Sequence, residues 1–350
     1  DSVFGNGAAQ SSDGFGSDSI GNMFTWDVSL IDDFSNLFKD NTAFKGTENE
    51  RISGWGDKVS QVTTIESMFE GCTNFEPDPG FNYFESWNMP NLTTVKNAFK
   101  GAVKFNDKVD AFLKFGNAVT DMEGFLHGAT LWNNGYSQPD EESPMSAADD
   151  EYHQLNWYTN KVITMKNLLR GSAFNQGIRI DQASGTVDRF NTHLVQSFEG
   201  TFAELGGFNQ ILGFLNTSSA LTMKEMFKDS PKFNDGEFLG IGCWNVLLVT
   251  DFTSMFEGAT DFRGKVHSWD LNANATSANG SFVDMFKDSG LAGLNAGIDL
   301  FQQKFTQTPS EDMFGYTFLE KTANMVTWAS SGEPTGEYNK AMRGSNFEMR

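Results

Sequence analysis

Apolar and polar positions follow one unit along the chain, clearest in Thr250-Asp251-Phe252-Thr253-Ser254-Met255-Phe256-Glu257-Gly258-Ala259-Thr260-Asp261-Phe262. With Phe256 as position zero, equivalents fall at Phe38, Phe69, Phe99, Leu126, Leu169, Phe202, Phe227 and Phe286, with a tenth at Phe314. Spacings run from 25 to 43 residues and cluster near 30, the range of architectures that stack similar units. Position −4 is apolar in nine copies, from Phe34 and Ile65 to Phe252 and Phe282, and position −1 is apolar in all of them but Thr201. Positions −4, −1 and 0 share one face of a helix, so the spacing predicts a short amphipathic helix in each copy. Position −5 is Asp, Ser or Thr throughout (Asp33, Thr64 and Asp251 among them), side chains that accept hydrogen bonds from a first helical turn. Gly71, Gly101, Gly128, Gly171 and Gly258 at +2 stand where a left-handed stop is easiest for glycine.

Upstream, β-branched or aliphatic residues at −7 (Val62, Leu92, Val119 and Val249 among them) predict a short strand, preceded at −12 by Trp26, Trp87, Trp157 and Trp244. A second aromatic follows at +5 or +6, as in Phe44, Phe75, Phe105 and Phe262. One copy alone cannot bury these rings. Stacked copies can, at about 4.8 Å per step where strands pair, and Phe38, Phe69, Phe99, Phe202, Phe227, Phe256 and Phe286 are the expected core column. The fold class expected is an α/β repeat, a β/α solenoid of about ten units of 25–43 residues. Residues 1–22 form a Gly/Ser-rich segment, 23–318 the repeats with an acidic insertion at 134–156, and 319–350 a cap or docking tail.

A net charge of −21 argues against nucleic acid as a partner, because phosphates require a basic stripe. No run of about 20 apolar residues is present, so no membrane span is expected. The chain starts at Asp1 rather than Met, the expectation being a processed chain or a piece of a longer one. Cys72 occupies a small-residue position and Cys243 precedes Trp244, too many copies away for a mutual bridge. The four histidines, His127, His153, His193 and His267, match no metal motif. No catalytic, cofactor-binding or metal-ligating residues are expected, and the chain reads as a non-enzyme. Four Asn-x-Ser/Thr sequons, at Asn91, Asn216, Asn274 and Asn279, are acceptors for N-linked glycan in a secreted protein. All four fall between the tryptophan and the capped turn of their copies.

The pattern W-[DN]-x-x-x-[VL]-T-x-[MF]-x-x-[MA]-F-[KE]-G-[AC]-x-x-F-[ND], carried by Asn88 to Asn106, Asn245 to Phe262 and the opening Trp26-Asp27-Val28-Ser29, resembles the BspA-type leucine-rich repeat. That family is also known as the mycoplasma-type surface repeat of unknown function. The resemblance covers roughly residues 23–315; longer, irregular copies and lost glycines depart from it. It implies a right-handed, leucine-rich-repeat-like solenoid displayed at cell surfaces, with no catalytic residues. The expectation is an extracellular, N-glycosylated structural protein associating head to tail as a homo-oligomer into a surface fibre or layer, because a solenoid end exposes strand edges. The alternative is a monomeric adhesin that recognises a protein or glycan.

Overall fold

In the computed structural model each described copy of the sequence unit forms one layer, a run of tight turns, and within each body successive layers are hydrogen-bonded to one another. The structure describes residues 22–47, 50–77, 83–114, 116–135, 154–178, 189–234, 240–262, 266, 269–272, 274–275 and 281–290. The N-terminal segment up to residue 21, the body of the acidic insertion (136–153), Asn279, the tenth copy at Phe314 and the tail at 319–350 lie outside them. The chain divides into two compact bodies, Asp1–Asn191 and Thr192–Arg350. Each is built by the same hydrogen-bonding rule.

Backbone N–H groups alternate in direction along a layer. Those at −4, −2, 0 and +2 donate to carbonyls at −5, −3, −1 and +1 of the next layer. In the C-terminal body these are Met223 to Asp251 (2.9 Å), Glu225 to Thr253 (2.8 Å), Phe227 to Met255 (2.9 Å) and Asp229 to Glu257 (2.7 Å). In the N-terminal body Phe34, Asn36, Phe38 and Asp40 donate in the same way to Thr64, Glu66, Met68 and Glu70. The odd positions stay within the layer. Met226 donates to Met223, Lys228 to Glu225 and Ser230 to Phe227, each three residues back. The −3 N–H finds the −5 side chain, as Thr253 finds Asp251 Oδ1 (2.9 Å) and Glu66 finds Thr64 Oγ1 (3.1 Å). Every N–H from −4 to +3 thus has a partner in these layers, as buried backbone requires.

This pattern overturns the expected β/α solenoid. Among the described residues there is no α-helix and no strand longer than a single bridge. There are four short 3-10 stretches, at Met23–Thr25, Ser53–Val59, Asp110–Leu113 and Ile241–Cys243, and seven isolated parallel bridges. Six of the bridges tie position −5 to position −5, as in Asp33–Thr64, Thr64–Thr94 and Thr222–Asp251. The helix fails because two positions in every layer have left-handed φ. At −2 these are Asn36, Ser67, Asn97, Gly124, Asn167, Gly200, Glu225, Ser254 and Asp284; at +2 they run from Asp40 and Gly71 to Gly258 and Asp288. A right-handed helix cannot pass through such a residue. A six-residue helix is also marginal on its own, whereas the turn run gains a set of bonds to its neighbour. No helix among the described residues is long and apolar enough to cross a membrane.

The rings follow the layers. In the C-terminal body Phe202, Phe227, Phe256 and Phe286 stack at 5.7, 5.6 and 5.6 Å, with planes within 8° of parallel. In the N-terminal body Phe38, Phe69 and Phe99 stack at 5.5 and 5.1 Å. A second file stands against the first: Phe227 meets Phe233 at 3.8 Å and Phe256 meets Phe262 at 3.9 Å. All seven column phenylalanines are buried, none more than 3% exposed. A tryptophan file completes each core, Trp55 on Trp87 at 5.6 Å and Trp244 on Trp269 at 6.3 Å. Each indole N–H reaches a carbonyl of an earlier layer: Trp55 to Met23, Trp87 to Ile52, Trp244 to Leu212 and Trp269 to Ile241.

Candidate functional site

Three groups of residues on these layers carry chemistry: the charged files at −3 and +1, a pair of aspartates in the N-terminal body, and the sequons. The file at +1 reads Lys39, Glu70, Lys100 in the N-terminal body and Lys228, Glu257, Lys287 in the C-terminal one. Glu70 sits between Lys39 (3.0 Å) and Lys100 (3.4 Å), and Glu257 between Lys228 (2.6 Å) and Lys287 (3.0 Å). At −3, Lys96 pairs with Glu123 at 3.0 Å. Burial alone would raise the Glu257 carboxyl, but hydrogen bonds from Lys228, Lys287 and Ser254 outweigh it and hold the group down at about 2. Glu70 is lowered too, its burial outweighed by Ser67, Lys39 and the charge of Lys100.

The aspartates behave oppositely. Asp107 is buried, its Oδ2 accepting from the Tyr83 N–H and its Oδ1 from the Lys108 N–H, both at 2.7 Å. Burial pushes its carboxyl up to about 6 against those two bonds and the Lys108 charge. Burial likewise raises Asp110, opposed by the charges of Lys108 and Arg189; its Oδ1 and the Trp157 indole N–H are both buried without a hydrogen-bond partner. The Arg189 guanidinium in turn lies 5.5 Å from the centre of the Tyr158 ring and donates to the Tyr158 hydroxyl at 3.1 Å.

Opposite shifts give opposite limbs in a pH profile. Glu257 ionises below its ordinary 4.5, so its stabilisation is complete above about pH 4.5 and is lost as pH falls toward 2. Asp107 keeps its proton to about 6, whereas the unfolded group releases it near 3.8; stability therefore falls as pH rises across that window. Urea midpoints measured from about pH 2.5 to 7 are expected to rise and then decline. Glu257→Gln flattens the acid limb and Asp107→Asn the limb between about 4 and 6, Asp107→Asn also losing one of its two backbone acceptors.

The sequence-predicted acceptors are divided between the two bodies. Asn91 is exposed in the N-terminal body, its Nδ2 donating to the Ser60 carbonyl at 3.0 Å. Asn216 and Asn274 are exposed in the C-terminal body, and Asn279 lies outside the described residues. Cys72 is buried and donates from Sγ to the Phe38 carbonyl at 2.9 Å; burial pushes its thiol up to about 12, so it is inert packing. Cys243 is exposed. Among the described residues no three His, Cys, Asp or Glu side chains converge as a metal site.

Sequence reasoning missed Trp55 and Trp269, which join the tryptophan file from positions −14 and −17 because the connecting segments differ in length. It missed the aspartates as well: Asp107 has one counterpart at the same offset, Asp235, and Asp110 has none. The left-handed −2 position did leave a signal, for Asn36, Asn97, Asn167, Gly124 and Gly200 are the residue types that tolerate that conformation.

These features define a protein made of stacked turn layers with charged outer files and an aromatic interior. Residues 10–138 and 179–292 match a known family described as "Mycoplasma protein of unknown function, DUF285". The chain belongs to that family. The two matched stretches flank residues 139–178, which hold most of the acidic insertion together with Trp157 and Leu169. The family is not described as one of enzymes. No curated protein and no solved structure matches the chain.

Proposed function

We propose that this chain is a non-enzymatic, extracellular structural protein of the BspA-like surface kind, associating end to end into a fibre or layer and carrying N-linked glycan. The observation behind this reading is the translational hydrogen-bond rule. Within each body, successive described layers are joined by the same four N–H groups and the same four carbonyls. A rule of that form is satisfied as well by the first layer of another copy as by the next layer of the same chain, the head-to-tail contact that generates open assemblies. The aromatic files support it, because parallel rings about 5.6 Å apart repeat the same apolar contact from one layer to the next. The charge of −21 opposes association at long range and is screened by salt.

Sedimentation velocity and negative-stain microscopy of the full chain over a concentration series test the proposal. Larger species that grow with concentration, and more readily at physiological than at low salt, are the expected result. Monomers throughout the series would overturn it and favour the monomeric adhesin.

A further inference from the structure

In the C-terminal body three turns lie in register, Thr192–Val195, Thr217–Ala220 and Val246–Val249, each closed by a backbone hydrogen bond of 3.0 Å. Side-chain hydroxyls lace them together: Thr192 Oγ1 donates to the Asn216 carbonyl, Thr217 Oγ1 to the Asn245 carbonyl and Ser219 Oγ to the His193 carbonyl, at 2.6–2.9 Å. The outer turns present Leu194 and the pair Leu247 and Leu248, and Leu221 leaves the middle turn. These leucines are 42–51% exposed. Three successive layers thus expose four leucines, apolar surface of the kind soluble proteins usually cover.

The sequon Asn216-Thr217-Ser218 lies at the start of the middle turn, between the layer of Leu194 and that of Leu247 and Leu248. Asn216 is exposed, and its Oδ1 accepts from the Ser218 N–H at 3.1 Å and the Ser218 hydroxyl at 2.7 Å. Both contacts hold Oδ1 toward Ser218 and leave Nδ2 on the opposite side of the amide. The sequon at Asn91 is arranged otherwise. Its Thr93 hydroxyl donates to the Thr63 carbonyl of the preceding layer at 2.9 Å, and Nδ2 donates to Ser60. There both sequon side chains are already engaged in bonding between layers, which those of Asn216 and Ser218 are not.

We infer that Asn216 is the favoured N-glycan acceptor of this chain and that the first sugars of that glycan cover the leucine surface formed by Leu194, Leu221, Leu247 and Leu248. In the transfer, the bond between Nδ2 and the sugar C1 forms as the C1–O bond of a lipid-linked glycosyl pyrophosphate breaks. The pyrophosphate leaves with the electron pair and Nδ2 gives up one proton. The C–H faces of the sugar rings then lie over the leucine side chains, removing apolar surface from water. This inference rests on the proposal that the chain passes through a secretory route.

The test expresses the full chain through the secretory pathway of a glycosylating eukaryotic host and maps occupancy by peptide mass after enzymatic deglycosylation. Asn216 is expected to be the most occupied sequon. Ser218→Ala is expected to abolish that occupancy and to raise the fluorescence of a hydrophobic dye severalfold; adding Leu247→Ser and Leu248→Ser is expected to cancel the rise. A secreted chain glycosylated at Asn91, Asn274 or Asn279 but bare at Asn216 overturns the inference while leaving the extracellular proposal standing. Unchanged dye fluorescence in Ser218→Ala overturns the covering role alone. A chain that is not secreted, or is secreted with every sequon bare, overturns the glycoprotein reading and the inference with it.

Discussion

Replacing Phe227 by alanine is expected to destabilise the C-terminal body by about 3–5 kcal/mol, the usual loss for truncating a buried phenylalanine. The ring has no exposed surface and touches four others: Phe233 at 3.8 Å, Phe256 at 5.6 Å, Phe202 at 5.7 Å and Trp244 at 6.3 Å. Deleting it opens a cavity shared by three layers, and the backbone bonds on both sides limit collapse into the space. Against a typical total stability of about 5–15 kcal/mol, this loss is enough to change the unfolding transition visibly. Phe227→Leu, which keeps most of the volume, is expected to cost less than about 1.5 kcal/mol. Urea unfolding followed by tryptophan fluorescence reads both variants through Trp244 and Trp269. A Phe227→Ala protein within about 1 kcal/mol of the parent would show that the column does not hold the layers together.

The second large effect is expected at Gly258. Its φ is +71°, a conformation that costs a residue with a Cβ about 1–2 kcal/mol. A Cβ at this position would also overlap Oδ1 of Asp229 in the layer before. Gly258→Ala therefore meets strain and collision together. Adding Asp229→Gly removes the collision and leaves the strain, so the double variant is expected to lose less than the sum of the singles. A coupling of at least about 1 kcal/mol in a double-mutant cycle is the expected result, and strict additivity would refute the contact. Gly71 stands in the same relation to Asp40 in the N-terminal body, where the cycle can be repeated.

The interior was legible in the sequence, and the backbone that carries it was not. Columns at −4, 0 and +6 can be read because identical residue types recur at fixed offsets, and Phe69, Phe99, Phe227 and Phe256 all lie in stacked, buried files. The capping residues at −5 do accept a hydrogen bond from the N–H two residues on, as Asp33 does from Ser35 at 2.7 Å. Beyond them the chain makes a run of turns rather than a helix. Apolar spacing of −4, −1 and 0 suits either, because a turn closed three residues back brings nearly the same side chains inward as a helical turn does. The distinction lies in where alternate N–H groups go. Those bonds join residues far apart in the chain, as Phe202 joins Met226 and Leu126 joins Leu168, and local periodicity carries no trace of them. Of the candidate site, the sequon at Asn216 could be read directly. Its bonded turn and the leucines beside it could not, because Leu194, Leu221 and Leu248 are distant in sequence and become neighbours only through the layering.

The charged files set a condition on how many layers such a protein can contain. Glu66 and Glu70 make one layer acidic, Lys96 and Lys100 make the next basic, and Lys224 and Lys228 are likewise followed by Glu257. Deleting the layer centred on Phe69 would set Lys39 against Lys100, and duplicating it would set Glu70 against a second glutamate. Repeating the layers centred on Phe69 and Phe99 together, as a pair, keeps the alternation of Lys39, Glu70 and Lys100. In this part of the stack, growth by a pair of layers is electrostatically easier than growth by one, so charge of alternating sign acts as a parity rule on the number of layers.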